Sequence, residues 1–111
     1  RLGRGRSIYN SIKDGKEVFL KKNDERSCLI DYYSIREYNT FYMWKMKYTK
    51  LTVGLLVFLI LCDMGLDDER IKNILGISDA TIRANRSKLR SQENSVDVDE
   101  LMACEQMTYE F

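Results

Sequence analysis

Residues 76–90 read GISDATIRANRSKLR, a stretch that begins with a glycine and contains four basic residues. Gly76 suits the left-handed backbone position that ends a helix, and Ser78 is a favoured N-cap for a new helix two residues later. Within that new helix, Ile82 and Leu89 are seven residues apart and share one face. The stretch therefore predicts a tight turn followed by a helix with one apolar face and a polar, basic remainder.

A second helix is predicted directly before this turn. Asp67 can cap it, and Asp68 and Glu69 lie in its first turn, where they face the positive end of the helix dipole. Ile77 is apolar inside the turn and is expected to fill the angle between the two helices. The apolar stripe of the first helix consists of Ile71, Ile74 and Leu75. Two helices joined by a short turn around an apolar residue form the helix-turn-helix pattern.

The later helix carries the residues that we expect to bind DNA. In a helix-turn-helix the second helix lies in the major groove, where its early residues face base edges and its cations meet phosphates. The recognition helix is predicted at about residues 79–90, with Thr81 and Arg83 at base edges and the last three basic residues at phosphates. The N–H groups behind the Ser78 cap also favour a phosphate. The complete predicted set is Ser78, Ala80, Thr81, Arg83, Ala84, Arg86, Ser87, Lys88 and Arg90.

Residues 51–90 resemble the C-terminal helix-turn-helix of LuxR-type regulators and of sigma-factor region 4. The matching residues are Met64, Gly65, Leu66, Ile71, Leu75, Gly76, Ile77, Ser78, Thr81, Ile82, Arg86, Ser87, Lys88, Leu89 and Arg90. The resemblance implies a cytoplasmic bacterial transcription regulator that binds promoter DNA sequence-specifically and, in some members, contacts RNA polymerase. It implies no catalytic residue, metal or cofactor.

Several positions depart from the family pattern. Residues 67–70 are more charged than the usual start of the first helix, and Lys72 replaces a small alanine that normally lets the two helices pack closely. Asn85 stands where an apolar or aromatic residue is common, and Asp79 puts an acid near the DNA backbone. These departures are compatible with the fold and argue against a high DNA affinity.

The first 50 residues are expected to form a helical segment that packs on the helix-turn-helix. Residues 1–6 (RLGRGR) are interpreted as a flexible leader, and residues 7–14 as a short helix capped by Ser7. A second helix, capped by Asn23 or Asp24, is predicted to end at residue 36. Its predicted apolar face consists of Cys28, Leu29, Tyr32, Tyr33 and Ile35. A third helix is predicted over residues 38–48.

Two segments of this half allow more than one interpretation. The aromatic residues between positions 32 and 48 suit either a hydrophobic core or a platform that stacks single-stranded nucleic acid, and their place on helical faces favours the core. Residues 51–64 are strongly apolar but offer only about a dozen apolar positions, whereas a membrane span needs roughly 20. They are therefore interpreted as a buried helix capped by Thr52, and a membrane anchor is expected only in a missing region upstream of Arg1.

The composition argues against an enzyme. The chain has no histidine, and its three cysteines, Cys28, Cys62 and Cys104, are too widely spaced for a zinc site. They are expected to be free thiols in a reducing cytoplasm. The clustered carboxylates of residues 67–69 are the one candidate for paired-carboxylate chemistry, and their place at a helix start explains them without catalysis.

The charge is divided unevenly along the chain. All 18 Lys and Arg lie in residues 1–92 with 11 of the 17 acids, whereas residues 93–111 hold six acids and no base. A basic body indicates a polyanion as partner. The acidic tail is interpreted as a solvated end. Its alternatives are a short dimerisation helix capped by Asp97 or Asp99, or an autoinhibitory segment that covers the recognition helix.

Together these patterns predict an all-α fold in which an N-terminal helical segment, residues 1–50, packs on a three-helix helix-turn-helix DNA-binding domain, residues 51–92, followed by the acidic tail of residues 93–111. The expected partner is double-stranded DNA, with RNA polymerase and a second copy of the chain as further partners. The alternative is a protein-interaction module of the same fold that binds polymerase or a sigma factor without binding DNA.

Overall fold

A computed structural model of the chain describes residues 2–93. Over this range the chain forms six α-helices and no strand, which confirms the predicted all-α class. The helices are α1 (Leu2–Lys13), α2 (Asn23–Arg36), α3 (Tyr38–Lys47), α4 (Val53–Asp63), α5 (Asp68–Leu75) and α6 (Asp79–Ser91). Everything predicted for the acidic tail beyond Glu93 lies outside the described residues, as does Cys104.

Helix α4 occupies the centre of the hydrophobic core. It contacts α2, α5 and α6, and it buries Leu55, Val57, Phe58, Ile60 and Leu61. The Thr52 side chain caps the helix by accepting a hydrogen bond from the backbone N–H of Leu55 at 3.2 Å. The prediction of a buried helix with Thr52 as its N-cap is confirmed. Across residues 2–93, no helix has the length and apolar character needed to cross a bilayer.

Helix α1 begins at Leu2, so the interpretation of residues 1–6 as a flexible leader is wrong where the structure describes them. Ser7 lies inside this helix rather than at its N-cap. The cause is tertiary packing: α1 crosses α2 so closely at Gly5 that a Cβ atom there would lie 2.1 Å from the carbonyl oxygen of Cys28. Glycine lowers helix propensity in an isolated segment, and here its missing side chain is what lets two helices meet.

Two arginines join the N-terminal helices to α5. The Arg70 guanidinium donates to the carbonyl oxygen of Ile12 at 2.9 Å and to that of Lys16 at 3.3 Å, at the end of α1. The Arg26 guanidinium donates to the carbonyl oxygen of Leu20 at 2.6 Å and to that of Leu75 at 3.4 Å. The carbonyl groups of Ile12 and Leu75 lie in the last turns of α1 and α5, where they have no N–H partner within their helix, and those of Lys16 and Leu20 lie in the connector between α1 and α2.

Helix α2 differs from its prediction at both ends. The residue at its N-cap is Lys22, with no capping hydrogen bond from its side chain, rather than Asn23 or Asp24. Leu29 is buried as predicted, whereas Ile35 is 65% exposed although it was placed on the apolar face. The helix ends at Arg36, one residue after Ile35, and the chain then turns into α3. Ile35 follows the buried Tyr33 by two residues, about 200° around the helix, so it lies on the face away from the core.

The aromatic residues are divided between the core and the surface. Tyr33 is buried, its ring stacks on that of Trp44 with centroids 5.8 Å apart, and its hydroxyl donates to the Asp63 carboxylate at the end of α4. Burial, reinforced by this carboxylate, raises the pKa of Tyr33 well above its usual range. Tyr38 and Tyr42 remain 66% and 41% exposed. The core interpretation thus holds for Tyr33 but not for these two residues of α3.

The contact at Gly5 generates a matched pair of variants. Gly5→Ala forces a methyl group against the backbone of α2, so we expect the free energy of unfolding to fall by about 1–3 kcal/mol. Gly3→Ala places the same methyl group in open space on the same helix, so stability should stay unchanged or rise by up to about 1 kcal/mol. Urea unfolding followed by circular dichroism measures both, and equal stabilities of the two variants would contradict the α1–α2 packing described.

Candidate nucleic-acid interface

The turn between α5 and α6 has the geometry that its sequence predicts. Gly76 ends α5 in the left-handed conformation, with φ of +66°, and its N–H donates to the carbonyl oxygen of Lys72 at 2.7 Å. Ser78 starts α6, and its hydroxyl oxygen accepts a hydrogen bond from the N–H of Thr81 at 3.2 Å. Between them, half-buried Ile77 packs against the hydrophobic core, as expected for an apolar residue in the angle. The turn therefore fixes where α6 starts relative to α5.

Helix α6 has one buried face and one solvent face. Ile82 and Leu89 are buried in the core shared with α4 and α5. All nine residues predicted to bind DNA are exposed on the remaining surface of the helix and at its cap. They are Ser78, Ala80, Thr81, Arg83, Ala84, Arg86, Ser87, Lys88 and Arg90. We call this set the α6 surface.

Arg86 differs from the other basic residues of the α6 surface because it is held by an acid of α5. Its two terminal nitrogens donate to the two carboxylate oxygens of Asp68 at 3.0 and 2.6 Å, and its guanidinium lies 6.0 Å from the centre of the Phe58 ring. This forked hydrogen bond from Arg86 lowers the pKa of Asp68 below its ordinary value and raises that of the arginine. Arg86 thus ties α6 to the start of α5.

Lys72, the residue that replaces a small alanine, forms a second link between the same helices. Its ammonium nitrogen lies 2.9 Å from a carboxylate oxygen of Glu69 and 3.1 Å from one of Asp79. The hydrogen bonds that Lys72 donates, to Glu69 first and to Asp79 second, raise its pKa. The long side chain of Lys72 extends from α5 to the start of α6, where its positive charge offsets the negative charge of Asp79 beside the α6 surface.

The three adjacent acids of α5 each have an identified contact. Asp67 caps the helix by accepting a hydrogen bond from the N–H of Arg70 at 2.8 Å. Asp68 pairs with Arg86, and Glu69 pairs with Lys72. The sequence left these three acids open as a paired-carboxylate site. In the structure one of them caps a helix and the other two pair with cations. Within residues 2–93, no group of three acidic or cysteine side chains is placed to hold a metal ion.

The remaining basic residues of the α6 surface are available to a ligand. Arg83, Lys88 and Arg90 form no ion pair with any side chain in the described part of the chain. Arg90 and Lys88 lie in the last turn of α6, and Arg83 lies nearer its start. Among the side chains of residues 2–93, these three positive charges along the helix are therefore not compensated by an acid.

A groove beside α6 brings in residues that the sequence did not connect with the site. It has a volume of about 300 Å³ and is lined by Thr81, Asn85 and Lys88 of α6 together with Thr52 and Gly54 at the start of α4. Asn85, which departs from the motif, is half-buried at this groove. Only the packing of α4 against α6 brings the start of α4 here, so the local pattern of α6 carries no signal for it.

Comparisons of the chain with protein-family models, with curated proteins and with solved structures found no match. The resemblance to LuxR-type regulators and to sigma-factor region 4 therefore stays a prediction from the motif.

The Arg86–Asp68 pair generates a prediction about protonation. Because the pKa of Asp68 is lowered in the folded chain, its contribution to stability is present above the ordinary value of 3.8 and is lost as the pH falls through the lowered pKa. Arg86→Gln removes the main cause of the shift, so the pKa of Asp68 should return towards 3.8. Carbon-detected NMR titration of the Asp68 carboxyl group measures it. Arg83→Gln is the control and should leave this pKa unchanged, and an equal effect of both variants would contradict the pairing.

Proposed function

We propose that the chain binds double-stranded DNA sequence-specifically in bacterial transcription regulation, with α6 as a recognition helix in the major groove. The observation that carries the proposal is the α6 surface itself. A capped helix behind a tight turn exposes all nine predicted residues, and three of its cations have no acidic partner among the described side chains. A helix with an exposed polar and basic face suits the major groove, which admits one α-helix.

The proposed contacts divide into three kinds. Thr81 and Arg83, in the first half of α6, read base edges, and Arg83 is suited to guanine because a guanidinium can donate two hydrogen bonds to it. Lys88 and Arg90 contact phosphates, which position the helix without reading sequence. Arg86 orients α6 through Asp68 and contacts a phosphate only with the part of its guanidinium that this pair leaves free.

The start of α6 supplies a further phosphate contact. The Ser78 hydroxyl oxygen satisfies the N–H of Thr81, and the first N–H groups of a helix have no carbonyl partner within it. These groups and the positive end of the helix dipole attract an anion. Pairing of Asp79 with Lys72 reduces the repulsion that its carboxylate would exert on a phosphate there.

We further propose that the chain acts in the cytoplasm as a homodimer and contacts RNA polymerase. A single recognition helix reads few base pairs, so specific binding commonly requires two half-sites bound by two copies. These features come from the motif resemblance and from this general requirement.

A protein-interaction module is the second candidate, and the acids near the start of α6 favour it. The side chains of Glu69 and Asp79 are largely exposed beside Ser78, where a DNA phosphate would approach. Such acids suit a basic protein partner such as a surface of RNA polymerase or a sigma factor. This candidate predicts partner binding that survives removal of Arg83.

Fluorescence anisotropy with a pool of labelled DNA duplexes, titrated with salt, separates the two candidates. DNA binding predicts an affinity that falls steeply with salt, because cations of the chain displace counterions from phosphates, together with enrichment of a subset of sequences. Absence of binding even at low salt would reject the DNA proposal and favour the interaction module.

Replacement of Arg83 tests base reading. Arg83→Ala should reduce discrimination between preferred and other duplexes by about 1–3 kcal/mol, because a base-edge contact is lost. The matched control is Lys13→Ala, which removes an exposed cation from the last turn of α1. Discrimination is measured by selecting enriched sequences with each variant, and the base-reading role fails if Arg83→Ala and Lys13→Ala retain the same preference.

Replacement of Lys88 tests phosphate contact. Lys88→Ala should weaken binding to all duplexes alike and reduce the slope of log affinity against log salt by about 1, because one fewer counterion is released. Salt titrations of the wild-type chain and the variant against two unrelated duplexes measure both effects. A loss confined to one duplex would instead show that Lys88 reads sequence.

A further inference from the structure

The outer face of α2 and α3 carries an apolar groove that the proposed function does not use. Ile35 at the end of α2 and Tyr38, Tyr42 and Lys45 of α3 line this groove. The groove has a volume of about 430 Å³. The rings of Tyr38 and Tyr42 stack with centroids 6.2 Å apart, and the Lys45 ammonium lies 5.1 Å from the centre of the Phe41 ring. We call this surface the α3 groove.

The acidic tail starts beside the end of this groove. Glu93 forms an antiparallel bridge with Tyr48, and its carboxylate lies 3.6 Å from the ammonium nitrogen of Lys47. The preceding residue, Gln92, accepts hydrogen bonds from the N–H of Thr49 at 3.4 Å and, through its side chain, from the N–H of Lys50 at 2.6 Å. These contacts attach the last described residues to the segment that joins α3 to α4.

The bridge between Tyr48 and Glu93 is antiparallel. In an antiparallel pair, residues that follow Glu93 run past residues that precede Tyr48, which are the residues of α3. A chain that continued this direction beyond Glu93 would pass Lys47 and then Lys45. The first acid of the tail, Glu93, already pairs with a lysine of α3.

We propose that the acidic tail binds in the α3 groove of its own chain. Asp97, Asp99 and Glu100 meet Lys45, and the apolar residues that follow cover Ile35, Tyr38 and Tyr42. These apolar tail residues are Leu101, Met102 and Met107. The α6 surface stays open in this arrangement, in contrast to an autoinhibitory tail.

The dimensions and the chemistry both fit. Helix α3 has ten residues and is about 15 Å long, and the three residues between Glu93 and Asp97 allow about 13 Å of extended chain, enough to bring the Asp97 carboxylate to Lys45. Covering large exposed apolar side chains supplies the driving force, because apolar surface leaves water. The ion pairs fix the direction of the segment more than its affinity, since exposed pairs contribute little.

Zero-length cross-linking of the full chain with a carbodiimide tests the proposal. The reagent activates a carboxylate, and a lysine in contact with it forms an amide that tryptic mass spectrometry locates. We expect links from Lys45 to Asp97, Asp99 or Glu100 within one chain. The Lys47–Glu93 pair provides a positive control for the reaction.

Each other pattern of cross-links overturns the proposal. Links from the tail acids to Lys88 would place the tail on α6. If the Lys47–Glu93 link forms but no tail acid is linked to Lys45, the tail does not bind in the groove. A mixture of ordinary and ¹⁵N-labelled chains distinguishes links within a chain from links between copies. Links to Lys45 found only between copies would make a second copy the occupant.

A pair of surface variants tests the apolar part of the groove. Tyr42→Ser should remove most Lys45 links to the tail acids while retaining the Lys47–Glu93 link, which also reports that the end of α3 is folded. Phe19→Ser is the matched control, because Phe19 is an aromatic residue 57% exposed in the connector between α1 and α2. Its tail links should equal those of the wild-type chain. Tail links that persist in Tyr42→Ser would overturn the role of the groove.

Discussion

Helix α4 imposes the constraint on which the rest of the fold depends. Its residues are apolar around almost the whole circumference, and such a helix is stable in water only when other elements surround it. Helices α2, α5 and α6 each contact it, so the N-terminal and C-terminal parts of the described chain share one core. The positions of α5 and α6, and therefore of the α6 surface, follow from how they cover α4.

Cations make the specific connections between helices that already share this core. Arg26 and Arg70 donate to backbone carbonyl groups at helix ends and connectors, and Arg86 and Lys72 reach acids on the neighbouring helix. The basic residues of the chain therefore fall into two groups. Basic residues at the junctions are engaged within the fold, whereas Arg83, Lys88 and Arg90 are exposed on α6 and form no ion pair with a side chain of residues 2–93.

The α6 surface and the α3 groove differ in their chemistry and therefore suit different partners. The α6 surface is polar and basic, which suits a polyanion, while the α3 groove is aromatic with a lysine at its edge, which suits a segment that is both apolar and acidic. The chain itself contains such a segment after Glu93. If the tail occupies the α3 groove, its acids do not compete with DNA for α6. The positive charge of residues 1–92 then remains accessible to a nucleic acid.

The helices of the C-terminal half could be predicted from the sequence, because their signals are local. Thr52, Asp67, Gly76 and Ser78 are caps whose roles depend on a few neighbouring residues, and the spacing of Ile82 and Leu89 determines which face of α6 is exposed. Tertiary structure alone decided the rest. Residues 2–6 are helical because α2 accepts the close approach of Gly5. Ile35 is exposed because α2 packs through Leu29 and Tyr33 on its opposite face, and Arg86 pairs with Asp68 eighteen positions away. Such contacts join residues distant in sequence, and no local pattern encodes them.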